Sequence, residues 1–355
     1  VPRVEQVANR IALLDAQAMR LARLRLDALT KPPGSLGQLE TLAVTLAGIT
    51  GQPRPRLARK AVLVFAADHG VASEGVSAYP AVVTGQMVRA FLAGHAAINV
   101  LAGRVGARVV VVDVGVAADL PPHPNLVRCR VAPGTASFTR GPAMTRAQAL
   151  AAVEAGMAVL EWEVERGLDL VGIGEMGIGN TTAASALAAA LTGLPVAAVT
   201  GRGTGVDDAG LQRKLAAIER ALAANPVDPA DPLGALAALG GLEIAGLVGV
   251  LLAAAARRLP VLLDGFITGA AALVAVGLCP AVRHYLIASH CSAEVGHPRV
   301  LERLGLRPLL ALDLRLGEGT GAALAMPLVD AALAILDEMA TFEEAGVSRA
   351  DAPSG

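Results

Sequence analysis

A chain of 355 residues can bury a large core, either as one domain with an accessory or as two medium domains. Its 30 Lys and Arg nearly cancel 31 Asp and Glu, and neither sign gathers into a long block, which excludes an electrostatic footprint for nucleic acid or an acidic membrane and favours a small-molecule partner. Hydrophobic residues make up 54% and mean hydropathy is +0.55, yet the stretches long enough to cross a bilayer (176–201, 233–256, 265–282) are Ala-rich with scattered Gly and lack aromatic belts, so they are expected to be buried α/β elements.

Residues 1–29 form a charged helical pattern with apolar positions three and four apart and no uninterrupted apolar core of an export signal, so a cytoplasmic enzyme is expected. The Gly/Pro break TKPPGSLGQLE (30–40) follows, then a second amphipathic stretch to about Gly51, together a small helical unit. From Arg59 short β-branched runs alternate with Ala/Leu-rich helical stretches. The expected strands are 61–67, 107–115, 168–174, 195–201, 260–265 and 307–315. Strands alternating with helices imply crossovers and a parallel sheet covered on both faces. Cys129, Cys279 and Cys291 have no metal-type spacing and read as reduced thiols.

Ligands of such sheets bind beyond the carboxyl ends of the strands, where ADHG, GEMGIGNTT, GRGTGVDDAG, DGFITG and LGEGTG are found. GIGEMG (172–177) has dinucleotide-fingerprint spacing, but no acid follows as far as Gly201 to hold a ribose, so a nicotinamide dinucleotide is disfavoured. What remains is a helix N-terminus, Gly177, Ile178, Gly179, Asn180, Thr181 and Thr182, suited to a phosphate. Lys214, one to two turns into the helix after GRGTGVDDAG, either neutralises a phosphate or is an exposed lysine of an amphipathic helix. Asp207 and Asp208 read as first-turn acids. Asp68 and His69 are either a catalytic pair or polar closures of a strand end. Asp264 is the sole acid of DGFITG, which argues against a magnesium-bound phosphoribosyl diphosphate and for a mononucleotide donor. Glu318 stands between two glycines, with no Lys or Arg from 317 to 345. It is either a first-turn helix acid or a carboxylate whose pKa burial raises into the range of a general base.

Seven segments then become recognisable together: KPPGSLGQLE, ADHGVASEGVSAYP, VTGQMV, GEMGIGNTTAASAL, TGRGTGVDDAGL, SHCSAEVGH and LGEGTGAALAMPLVDAA. In order and spacing the chain resembles the nicotinate-nucleotide:dimethylbenzimidazole phosphoribosyltransferases of cobalamin lower-ligand synthesis. The resemblance implies a Rossmann-like parallel sheet flanked by helices (56–324), a small helical domain from both chain ends (1–55 plus 325–355), a homodimer, and neither metal nor cofactor. It implies transfer of the 5-phosphoribosyl group of nicotinate mononucleotide to 5,6-dimethylbenzimidazole, giving α-ribazole 5'-phosphate and nicotinate. Glu318 matches the family's base, with Glu175 and Lys214 as further active-site residues. Gly177, Ile178, Gly179, Asn180, Thr181, Gly203, Gly265 and Ser292 become candidates for the nucleotide, and Ser77, Tyr79, Gln86, Met87, Met176 and Leu316 for the acceptor base.

Overall fold

The computed structural model describes residues 3–348. Six parallel strands form the main sheet: β1 (Lys60–Ala67), β2 (Ala107–Gly115), β3 (Leu126–Arg128), β4 (Leu170–Met176), β5 (Val261–Leu263) and β6 (Leu286–Ala288). Their spatial order, β3-β2-β1-β4-β5-β6, is that of a doubly wound Rossmann sheet, with the reversal of winding between β1 and β4. β1 is buried along its whole length, as expected of a central strand whose KAVLVFAA sequence has no polar face. A separate parallel pair joins β7 (His290–Cys291) to β8 (Leu310–Ala311).

The expected strand at 195–201 is instead a short 3-10 helix, Val196–Ala198, capped by Pro195. Both edges of β4 are taken, by β1 and β5, so this segment has no place to pair beside it. Of 307–315 only Leu310–Ala311 pairs, outside the main sheet.

The apolar stretches become short buried helices, Asn180–Thr192, Leu242–Ala256 and Phe266–Leu278. Among the described residues one helix, Thr320–Glu338, is long and apolar enough to cross a membrane. Leu242–Ala256 is buried from Leu242 through Ala255 and packs on the helix Arg146–Glu165. There Gly156 faces the carbonyl of Gly246, and Gly249 that of Val153, so closely that a Cβ on either glycine would collide with backbone.

The chain divides into two compact units, Val1–Ala12 with Arg59–Ala325, and Leu13–Ala58 with Met326–Gly355. The expected helical domain of 1–55 plus 325–355 therefore loses its first segment to the sheet unit. Val4 and Val7 of the helix Arg3–Ala8 are buried against Leu242–Ala256 and Arg146–Glu165, and Arg3 pairs with Glu161 at 2.8 Å. Residues 1–2 and 349–355 of that expectation lie outside the described residues.

In the second unit, Asp15 caps the helix Ala16–Ala28 by accepting from the Ala18 N–H, and Met19 packs on Gly48 of the helix Gln38–Thr50. Lys31 and Glu40, the ends of KPPGSLGQLE, form a buried ion pair at 2.8 Å. The Arg25 guanidinium donates to the carbonyls of Leu336, Asp337 and Met339, closing the C-terminal end of Thr320–Glu338. Arg54 and Arg56 also pair with Asp337, and the Thr30 N–H donates to the Ala340 carbonyl at 3.0 Å, so both parts of this unit are joined by side chains and backbone together.

Gly156→Val should force the two helices apart and lower the free energy of unfolding by about 1–3 kcal/mol, the usual cost of overpacking. A urea midpoint unchanged from wild type would show that the backbones do not meet there.

Candidate active site

The winding reverses between β1 and β4, and the loops beyond their carboxyl ends open a crevice. On the β4 side of it lies a cleft of about 100 Å³, lined by the segments that follow β4, β5 and β6. Its floor comes from the end of β4. Glu175 is buried and accepts a short hydrogen bond from the Asn180 amide. Burial pushes its pKa up to about 8, the charges of Asp264, Glu243 and Glu318 add to the rise, and the Asn180 contact opposes it. After β4 the chain turns through Gly177, Ile178 and Gly179. The Ile178 N–H donates to Thr84 Oγ1 at 3.1 Å, and Gly179 takes φ 98 as the cap of Asn180–Thr192. Gly177 is tight against the Ala67 carbonyl and the His69 ring, so the loops after β1 and β4 meet there.

A second wall follows β5. Asp264, 1% exposed, accepts from the N–H of Gly319 at 3.0 Å and of Gly321 at 2.7 Å. Burial raises its pKa to about 7; those N–H groups and that of Ala322 oppose the rise, and the charge of Glu318 adds to it. Gly317, Glu318 and Gly319 form a left-handed arc with φ of 87, 64 and 86. A non-glycine residue held there costs on the order of 1–3 kcal/mol. Gly174 of β4 has no Cβ to obstruct the arc, which lies directly on it. The helix starts at Thr320, so Glu318 precedes it and is not a first-turn acid. The Glu318 carboxyl is buried, its Oε2 has no partner among the described residues, and burial raises its pKa against one N–H, that of Ile98.

The third wall carries the positive charge. Lys214 is fully buried and not an exposed helix lysine. Its Nζ donates to Thr181 Oγ1 at 2.8 Å and to the Gly201 carbonyl at 3.2 Å. Burial lowers its pKa to about 8, with Glu294 opposing. Arg315 donates to the Gly203 carbonyl at 3.3 Å. His297 accepts from the Ser292 N–H at 2.8 Å, and burial, with His290 beside it, lowers the His297 pKa to about 3.

Of the residues singled out in the sequence, Glu175, Gly177, Ile178, Asn180, Thr181, Gly203, Gly265 and Ser292 line the cleft, as do Met176 and Leu316. Glu318 stands one residue behind Gly317, which lines it. Lys214 lies behind Thr181, and Gly179 is packed on Val71 and Ala72. Ser77, Tyr79, Gln86 and Met87 are outside the lining, although Ser77 Oγ sits 3.3 Å from Thr204 Oγ1, which is part of it. Asp68 and His69 are not a pair. Asp68 accepts from the Ala117 N–H at 2.7 Å, whereas His69 is buried 2.6 Å from Glu243. Asp207 caps its helix by accepting from Gly210. His290, Glu294, Arg315, Thr204, Phe266 and Ile267 complete the lining without having been singled out. The first two lie inside SHCSAEVGH, and Arg315 is the cation nearest LGEGTG.

A phosphoribosyltransferase family model matches residues 11–347. The nicotinate-nucleotide–dimethylbenzimidazole phosphoribosyltransferase of Chloroflexus aggregans is 62% identical over 97% of both chains. That of Roseiflexus sp. strain RS-1 is 62% identical over 97% of this chain and 98% of its own. The crystal structure of CobT from Thermus thermophilus shares 53% identity at a TM-score of 0.91, covering 94% of this chain and all of that one.

The raised pKa of Glu175 has a stability consequence. Between its ordinary value near 4.5 and about 8 the folded state holds a proton that the unfolded state has released. Folding stability contributed by this group is therefore complete below pH 4.5 and declines as pH rises through 8. Glu175→Gln should remove that decline, so the wild type should lose stability relative to the variant by about 1 kcal/mol per pH unit across this window. Parallel melting curves with a constant separation from about pH 5 to pH 8 would contradict it.

Proposed function

The chain belongs to the nicotinate-nucleotide:dimethylbenzimidazole phosphoribosyltransferase family, and from that premise we propose how its residues divide the reaction. The enzyme transfers the 5-phosphoribosyl group of nicotinate mononucleotide to 5,6-dimethylbenzimidazole, giving α-ribazole 5'-phosphate and nicotinate for the lower ligand of cobalamin. One lone pair of the benzimidazole forms the bond to C1′. The pair of the C1′–pyridinium bond leaves on the nicotinate nitrogen, and the proton of the other benzimidazole nitrogen passes to the Glu318 carboxylate. Because the pyridinium departs as a neutral ring, no general acid is needed. Attack opposite the leaving group converts a β-linked donor into an α-linked product.

The observation that carries this assignment is the buried Glu318 carboxyl, one residue behind the cleft lining, with its pKa raised by burial and Oε2 unpartnered among the described residues. A carboxylate brought toward neutrality is suited to take a ring N–H proton. The turn Gly177 to Thr181, with Gly203, Gly265 and Ser292, holds the nucleotide. Support comes from their joint lining of the cleft and from Lys214, which places a positive charge behind Thr181 at the helix N-terminus. Glu175 faces the ribose from the floor. Met176 and Leu316 form the inner acceptor wall, and Ser77, Tyr79, Gln86 and Met87 its outer part, tied to the cleft through Ser77 and Thr204.

Glu318→Gln should keep nicotinate mononucleotide binding, measured by calorimetry, and lose turnover by ~10²–10⁴-fold, the usual worth of a general base. Chromatographic release of the α-riboside phosphate at near wild-type rate would remove Glu318 from this role.

A further inference from the structure

Resting on the assignment of Glu318 as the base, we propose that Asp264 is the positioning residue that holds Glu318 in place. Asp264 follows β5 directly, so its backbone is anchored by the sheet. Its two oxygens divide between two donors: Oδ2 takes the Gly319 N–H at 3.0 Å and Oδ1 the Gly321 N–H at 2.7 Å. Gly319 is the residue after Glu318, and Gly321 lies in the first turn of Thr320–Glu338. The carboxylate therefore clamps one end of the left-handed arc to the start of the helix. Thr320 Oγ1 donates to the Gly317 carbonyl at 2.8 Å and ties the other end to the same turn. With both ends fixed, the strained φ of 64 at Glu318 is maintained by its surroundings.

A cap alone does not need this chemistry. Asn, Ser or Thr caps a helix N-terminus without burying a charge. Asp264 is 1% exposed, and the groups facing it are Glu318 on the arc, Glu175 on β4 and His290 on β7, whose Nδ1 is 3.9 Å away and whose pKa burial lowers. A carboxylate differs from these caps in offering two oxygens, one to each N–H, so it holds the arc and the start of the helix together.

The test is steady-state turnover of nicotinate mononucleotide and dimethylbenzimidazole by Asp264→Asn, alone and combined with Glu318→Gln. Asp264→Asn should lower kcat by about 10²-fold, as displacing a reacting group by about an ångström does, with the KM for the nucleotide within about threefold of wild type. In the Glu318→Gln background the same change should cost less than about twofold more, because the group it serves is already gone. Wild-type kcat in Asp264→Asn, or losses that multiply fully in the double variant, would overturn the proposal. If Glu318→Gln alone turned over normally, the base assignment would be what failed. Should Asp264→Asn not bind the nucleotide, Asp264→Ser, whose hydroxyl still accepts one N–H without charge, takes its place in the same comparison, and the same outcomes support or overturn the proposal.

Discussion

The site depends on carboxylates buried at the carboxyl end of a parallel sheet with almost no cations to compensate them. Glu175, Asp264 and Glu318 are each at most 5% exposed, and burial raises the pKa of all three. A salt bridge would be the ordinary remedy, but it would pull those values down and spend the basicity. Oriented N–H groups are used instead: Gly319 and Gly321 on Asp264, Ile98 on Glu318, and the Asn180 amide on Glu175. These fix the geometry while leaving the carboxyl pKa values raised. The glycines that look like turn punctuation are what let backbone come close enough to do this. Gly174 admits the arc onto β4, and Gly177 admits the loop after β4 onto the end of β1.

Much of this arrangement is legible in the chain because it is local. The central strands β1, β2 and β4 announce themselves as β-branched runs without a polar face, and the turns after β4 and β5 bring Glu175, Asn180, Thr181 and Gly265 to one cleft. The segment 195–201 misleads because PVAAVTG has the composition of a buried strand, and only the sheet's connectivity reveals that both edges of β4 are occupied. β3 and β6 escape notice at three residues each, too short for a period to register. The helix Arg3–Ala8 carries the same pattern as its neighbours, so its attachment to the sheet unit is decided by which surface Val4 and Val7 meet and not by the pattern itself.

Residues that long-range packing brings to the site are the hardest to read. Spacing alone leaves Lys214 balanced between solvent and site, and its burial against Thr181 decides the matter. Arg315 has no motif of its own and reaches Gly203, more than a hundred positions earlier, only because the loop after β8 meets the glycine turn before the helix Asp208–Ala224. Asp264 is legible as an acid in a glycine turn. Its partners, the N–H groups of a loop 55 and 57 positions later, are not.

The distribution of charge around the cleft fits the order of events in the transfer. Lys214 and Arg315 stand on the wall formed by Thr181 and Gly203, and the raised carboxyls on the floor and the wall after β5. On the proposed placement, a ribotide with its phosphate toward the lysine turns its pyridinium toward the carboxyls, and a cation there favours their ionised forms. On that reading the substrate itself supplies the countercharge that the protein withholds, which favours a deprotonated Glu318 as the acceptor arrives. Once the C1′–N bond breaks, the departing ring is neutral and that countercharge is gone. The carboxyls return to their raised pKa while the benzimidazole carries a surplus proton, so proton uptake by Glu318 becomes favourable at the step that needs it.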